Sequence, residues 1–172
     1  MTSGMIVRQA APQDAQAAGD LAVRAWRRIY ERRRELLGAE LFDRVYPDWP
    51  GFKRGQVVEH LRQHPERALV TEIDGRMAGF ITWWFWPGGA VGEIGNNAVD
   101  PEFGGLGVGS AQCRKALEVF AAQGCQVAAV STGLDEAHAP ARRMYEKVGF
   151  GPSYPAVTYF QRLGGKENAG GA

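Results

Sequence analysis

Residues 93–109 read EIGNNAVDPEFGGLGVG, and this stretch decides the architecture. Its first half is a strand ending at Val99, closed by Asp100-Pro101. Its second half carries glycines 104, 105, 107 and 109 ahead of a helix-periodic run from Val108 to about Ala122. Such a turn gathers backbone N–H groups at a helix N-terminus, where the helix dipole also favours a phosphate. A Cβ there would obstruct either the turn or the ligand. No Lys-Ser/Thr pair follows the last glycine, so this is not a P-loop. The preceding strand belongs to a meander and does not open a βαβ series, so a dinucleotide fingerprint fits poorly. Taken alone, the segment suits a tight connection as well as it suits a phosphate site.

The rest of the chain surrounds this segment with a mixed pattern. Residues 5–10 form a first strand, and Pro12 and Asp14 open a helix whose apolar stripe is Leu21, Val23, Trp26, Ile29 and Tyr30. Residues 36–46 form a second helix, broken by Pro47, Pro50 and Gly51, and residues 52–64 a third. Residues 67–73 and 77–86 are strands joined at Asp74-Gly75, a hairpin signal, and residues 91–99 complete the meander. After the glycine-rich helix come a short strand at 126–131, a helix at 140–148 stopped by Gly149, and a final strand at 153–163. This order predicts an α/β fold: one mixed sheet with helices on both faces. Residues 1–163 are expected to form a single domain, with 164–172 a Gly-rich tail.

Composition excludes several classes. A net charge of +1 gives no general attraction to nucleic acid or an anionic membrane. No apolar run suits a bilayer span and the N-terminal residues lack a signal-peptide core, so the cytoplasm is the expected location. Cys113 and Cys125 form no zinc pattern, and Cys113 shares a helical stripe with Leu117 and Phe120, as a core residue would. His60 and His64 lack a third ligand and read as surface residues, so no metal is expected. Six arginines between positions 24 and 34 are read as a solvated helix face.

A second segment, LDEAHAPARRMYEKVGF at 134–150, joins the first to give a family resemblance. VDPEFGGLGVGSA resembles the acetyl-CoA loop of the GCN5-related N-acetyltransferases, Val-x-Pro and then Gln/Arg-x-x-Gly-x-Gly/Ala. HAPARRMYEKVGF resembles their second signature through Ala141, Tyr145, Glu146, Lys147, Gly149 and Phe150. IVRQAAPQDAQAAGDLAVRAW is similar to the family's first strand and helix, so the likeness covers residues 5–163. Two positions depart from it: Gly104 stands where the loop has Gln or Arg, and His138 where the second signature has Asn.

The resemblance implies a central, mostly antiparallel sheet splayed between two strands, with acetyl-CoA as co-substrate in the splay. It implies cofactor contacts from Ala98, Val99, Gly104, Gly105, Gly107, Val108, Gly109, Ser110 and His138, with the Val99 N–H polarising the thioester carbonyl. Direct attack by an amine would need a base, for which Glu93 is the candidate, and an acid for the departing thiolate, for which Tyr145 is the candidate. Trp26, Tyr30 and Trp84 are candidate acceptor-site residues, beside Trp86 on the same strand face. The expected function is N-acetylation of a small amine, amino acid, aminoglycoside or peptide, in a chain that can form a homodimer. The alternative is a non-catalytic acyl-CoA-binding or regulatory module on the same fold, which would not need Tyr145 or Glu93.

Overall fold

The computed structural model describes residues 4–163. Five strands form one sheet in the order β1-β2-β3-β4-β5. They are β1 (Ile6–Gln9), β2 (Ala68–Ile73), β3 (Arg76–Phe85), β4 (Val91–Val99) and β5 (Val127–Val130). Neighbours are antiparallel except β4 and β5, which run parallel. The hairpin expected at Asp74-Gly75 is present, and it takes both residues into positive φ.

Five helices flank the sheet: α1 (Ala15–Leu37), α2 (Ala39–Val45), α3 (Trp49–Gln63), α4 (Val108–Ala122) and α5 (Ala139–Lys147). On one face Leu21 of α1 and Val57 and Leu61 of α3 pack with Val70, Phe80 and Ala98. On the other face Cys113, Ala116 and Phe120 of α4 and Tyr145 of α5 pack with Ile81, Trp83 and Ile94. Cys113 is fully buried, as its stripe suggested.

Three expectations need correction. The first helix runs through to Leu37 and breaks at Gly38, so the second begins at Ala39. Pro50 and Gly51 do not break a helix; they lie in the first turn of α3, where the Asp48 side chain accepts the Gly51 N–H at 3.0 Å. A proline is tolerated there because first-turn N–H groups have no helical partner. The strand expected at 153–163 does not form: residues 151–163 carry no regular structure and stand exposed. The pattern promised a strand, but no neighbouring edge supplies its hydrogen bonds in this structure. The tail at 164–172 lies outside the described residues.

Gln112 of α4 locks the helix to the sheet. It is fully buried; its Nε2 donates to Phe80 O and Ala98 O (2.9 Å each), and its Oε1 accepts the Thr71 hydroxyl at 2.9 Å. Gly79 permits this approach, since a Cβ at that position would lie 2.6 Å from Ala98 O and 2.8 Å from Gln112 Oε1.

Candidate active site

The parallel pairing of β4 with β5 covers only Val91 to Ile94 on β4. Beyond Ile94 the β5 side of β4 is unpaired, while its other side stays paired with β3 as far as Val99. Asn96 N–H donates to Thr82 Oγ1 (3.1 Å) and Asp100 N–H to Ala78 O (2.9 Å), both toward β3. By alternation, the N–H groups of Asn97 and Val99 face the open side.

A bulge sets which side chains reach each face. Thr82 pairs with Asn96 and Trp83 with Ile94, so Gly95 is an extra residue. Ile94 therefore shares a face with Asn97 and not with Asn96. Asn97 turns toward α4, where its Oδ1 accepts from Gln112 Nε2 at 2.5 Å and its Nδ2 donates to Gly109 O at 3.3 Å. Asn96 turns to the opposite face and accepts from Lys53 Nζ of α3 at 2.6 Å.

The glycine segment lies against this open edge. Gly107 caps α4 in the left-handed region (φ +81°), a conformation that side-chain-bearing residues rarely adopt. Ala111 N–H donates to Gly107 O at 2.9 Å, the first turn of the helical ladder. The N–H groups of Val108, Gly109 and Ser110 donate to nothing among the described residues, which leaves three donors at a helix N-terminus. Space above Gly105 and Gly107 is open, and a Cβ on Gly109 would sit 3.4 Å from Val99 Cγ2. Val108 and Gly109 thus lie beside Val99, with Gly104, Gly105, Gly107 and Ser110 in the same turn, whereas Ala98 points into the opposite core. His138 stands apart at the start of α5, donating from Nδ1 to Asp135 Oδ2 at 2.6 Å. Arg142 holds the same loop through Gly133 O (2.6 Å) and Asp135 O (2.8 Å).

Tyr145 comes up on the α4 side of the open edge. It is buried, edge-on to Phe150, and burial pushes its phenol pKa well above the ordinary value. The phenol therefore stays protonated through the usable pH range. Cys113 beside it is also pushed up by burial, to about 11, and is no thiolate at neutral pH.

The other face carries the remaining candidates. Glu93 pairs across the strands with Trp84 and accepts from Trp86 Nε1 at 2.6 Å. Trp84 is partly exposed and packs on His60 and His64. His60 is buried, a correction to its surface reading: its Nε2–H donates to Arg67 O at 3.1 Å, and burial lowers its pKa. The Trp26 ring faces Lys53 Nζ at 3.8 Å. Tyr30 is buried and stacked on Trp49 at 4.3 Å, so it supports this wall from behind. Of the arginines on α1, Arg24 pairs with Asp100, Arg32 with Glu35 and Arg34 with Asp43, while Arg33 lies over Tyr30 and Tyr46. Among the described residues no group of three or more His, Cys, Asp or Glu could hold a metal, and no helix is long and apolar enough to cross a membrane.

Sequence reasoning missed three residues here: Asn97, Gln112 and Lys53. The doublet Asn96-Asn97 gave no sign of which member faces the cleft, because the bulge at Gly95 reverses the alternation. Gln112 and Lys53 sit in helices where a polar residue is ordinarily a surface one, and only tertiary packing buries them.

The profile of the Acetyltransferase (GNAT) family matches residues 23–150. No curated protein matches the chain in sequence. Among solved structures, the chain is similar to the PaiA N-acetyltransferase of Thermoplasma acidophilum in complex with coenzyme A, at 16% identity and TM-score 0.68, covering 86% of this chain and 90% of that one. It is similar to AAC(6')-Iy in complex with the bisubstrate analogue CoA-S-monomethyl-acetylneamine, at 17% identity and TM-score 0.60, covering 94% and 100%. It is also similar to a Pyrococcus horikoshii protein described provisionally as an acetyltransferase, at 17% identity and TM-score 0.63, covering 90% of this chain but only 46% of that one. At these identities the structural likenesses establish the fold.

Proposed function

Because the chain belongs to the acetyltransferase (GNAT) family, we propose that it moves an acetyl group from acetyl-coenzyme A to a primary amine by direct attack. The observation that carries this reading is the open edge of β4 beyond Ile94, flanked by the free N–H groups of α4 and by Tyr145, which packs on Ile81 and Ile94 on the same face. The coenzyme A bound in the PaiA structure and the bisubstrate analogue in AAC(6')-Iy support acetyl-CoA as the co-substrate.

Each residue then has a role. The pyrophosphate rests on the N–H groups from Gly105 to Ser110, which need no side chain at Gly104. The pantetheine arm continues the sheet along the open edge of β4, with the Val99 N–H as one donor. The thioester carbonyl lies on an open-edge N–H of β4, Val99 as the sequence suggested or Asn97 two residues earlier, and Asn97 is the nearer to Tyr145, which packs on Ile81, the cross-strand partner of Asn97. His138 orders the loop ahead of α5 through its bond to Asp135. The acceptor approaches from the α1/α3 face, walled by Trp26 and Trp84 with Tyr30 behind. Its nitrogen attacks the carbonyl carbon, the C–S bond breaks, and the thiolate takes a proton from Tyr145.

Glu93 is the proposed base on the acceptor face. Asn97 lies four positions further along β4, roughly 13 Å of backbone, so Glu93 acts through water and not by direct contact. Fold and family do not choose the acceptor, and amino acids, small amines, aminoglycosides and peptides all remain in class.

The test is thiol release from acetyl-CoA over a panel of such amines. Release that depends on a particular amine supports the reading. Binding of coenzyme A with no release for any amine would favour the non-catalytic acyl-CoA-binding module instead.

A further inference from the structure

Lys53 of α3 is a buried cation without an acid. It is 7% exposed, yet among the described residues its Nζ bonds only neutral groups: Asn96 Oδ1 at 2.6 Å and Gln56 Oε1 at 2.9 Å. The centre of the Trp26 ring lies 3.8 Å away. A lysine is seldom buried without a carboxylate, because desolvating an ammonium is costly. Two amides and a ring face stabilise the cation but do not cancel its charge. Burial lowers its pKa to about 8, which still leaves the group mostly protonated at neutral pH.

The surrounding charges set this lysine apart. Arg24, Arg32 and Arg34 of α1 and Arg54 of α3 each have an acidic partner. Glu93, on the same face of the sheet, is bonded to Trp86 Nε1. Arg33, lying over Tyr30 and Tyr46, adds a second positive charge near Lys53. The wall beside Trp26 therefore carries a surplus of positive charge.

That charge lies close to the open edge of β4. Asn96, which accepts the Lys53 bond, directly precedes Asn97 and lies three positions before Val99. Consecutive Cα atoms are about 3.8 Å apart, and three strand positions span about 10 Å. There is also room on this face. Gly95 is exposed, and a Cβ on it would meet Thr82 Oγ1 at 3.3 Å and Trp84 Cδ1 at 3.6 Å. Glycine leaves that space empty. Gln56 is exposed too, so it can turn into solvent and free one Nζ–H for a ligand.

We propose that Lys53 sets acceptor specificity: its ammonium, with the Arg33 charge nearby, binds the carboxylate of a small amino acid whose amine stands at the open edge of β4. The spacing calls for few bonds between carboxylate and amine. The same surplus charge rejects polycationic amines, since like charges brought together in a poorly solvated site repel.

Lys53 acts this way on the acetyltransferase reading, so turnover and binding are read separately. Glycine, alanine and β-alanine are each compared with their carboxamide, with rates referred to the unprotonated amine, and spermidine serves as the polycation. Wild type should favour the carboxylate form by about 30-fold or more in kcat/KM, the lower end for a buried charge pair. Lys53→Met keeps an unbranched stem and removes a desolvated charge, so the fold should survive. It should erase that preference without weakening the carboxamide. No preference in wild type, a preference that survives in Lys53→Met, an equal loss for both forms, or spermidine as the best acceptor would overturn the proposal. Thiol release with no amine at all would sink the acetyltransferase reading, and thermal stabilisation of the coenzyme A complex by the three amino acids then decides for Lys53. Stabilisation lost in Lys53→Met supports the carboxylate site. Stabilisation absent from wild type, or kept in the variant, overturns it.

Discussion

Gln112 Nε2 donates to Asn97 Oδ1 across 2.5 Å, and that bond couples the glycine-capped helix α4 to the strand that lines the cleft. The same amide nitrogen serves Phe80 O and Ala98 O, and the amide oxygen takes the Thr71 hydroxyl. Gln112→Leu would keep much of the volume but leave the Thr71 hydroxyl and the Asn97 side-chain oxygen without this partner. Each such group costs about 1–3 kcal/mol, so a loss of roughly 2–5 kcal/mol in urea unfolding is expected. A loss under 1 kcal/mol would mean that this network adds little to the fold.

The proposed phosphate site is tested at Gly107. Its φ of +81° makes any side chain there strained, although the space above it is open. Wild-type protein should be stabilised by about 2.7 kcal/mol at acetyl-CoA concentrations 100-fold above the dissociation constant. Gly107→Val should lose that thermal shift while still melting cooperatively. A folded variant that still responds to coenzyme A would remove the glycine turn from the binding site.

Much of this architecture could be read in the sequence because its signals were local. Asp74-Gly75 gave the hairpin, the 3.6-residue stripe gave α1, and the glycines ahead of Val108 gave the start of α4. What could not be read depended on contacts between distant segments. The bulge at Gly95 is visible only once β3 is laid beside β4, and it exchanges the roles of Asn96 and Asn97. The strand expected at 153–163 did not form, because a strand also needs an edge to pair with and propensity carries no information on where one lies.

Lys53 gives a pH-dependent test of the acceptor face. Burial, reinforced by the nearby Arg33 charge, brings its pKa from 10.5 down to about 8. Between those values the unfolded chain holds a proton that the folded chain has released, so this group makes stability rise with pH across the window. Its unfavourable contribution is fully present below about pH 8 and gone above about pH 10.5. Lys53→Met abolishes it. The stability of wild type relative to Lys53→Met should therefore climb by up to about 3 kcal/mol between pH 7.5 and 10.5. Taking the difference cancels the opposite trend from the raised Tyr145 and Cys113 pKa values. A flat difference in denaturant titrations would show that the ammonium is well solvated.

Glu93→Gln keeps an acceptor oxygen for the Trp86 Nε1–H and removes the proposed base. Turnover should fall mainly on the acid side of the optimum, where fewer acceptor amines are free and proton removal matters most. If the carboxylate acts through water as proposed, the loss should lie toward the lower end of the ~10²–10⁴ range for a positioned acid or base. An unchanged pH–rate profile would assign the role to another group or to solvent alone.

Tyr145 allows the sharpest test of mechanism. Its pKa is raised by burial, so no falling limb of the pH–rate profile should be traceable to loss of the phenol's proton below about pH 10, ordinarily the pKa of tyrosine. The same burial makes the phenol a weak acid, so it can protonate sulfur only as negative charge develops there, late in C–S cleavage. Tyr145→Phe keeps the ring packed against Phe150 and should leave folding and acetyl-CoA affinity within a few-fold of wild type. Turnover should drop by about 10²–10⁴, the usual contribution of a positioned general acid. A thioester whose thiol is more acidic needs less help to leave, so its loss should be smaller. Comparing kcat for both proteins with both thioesters decides the role. Equal losses would make Tyr145 a positioning residue for Asn97 and the thioester, and full activity in the variant would leave it a core side chain.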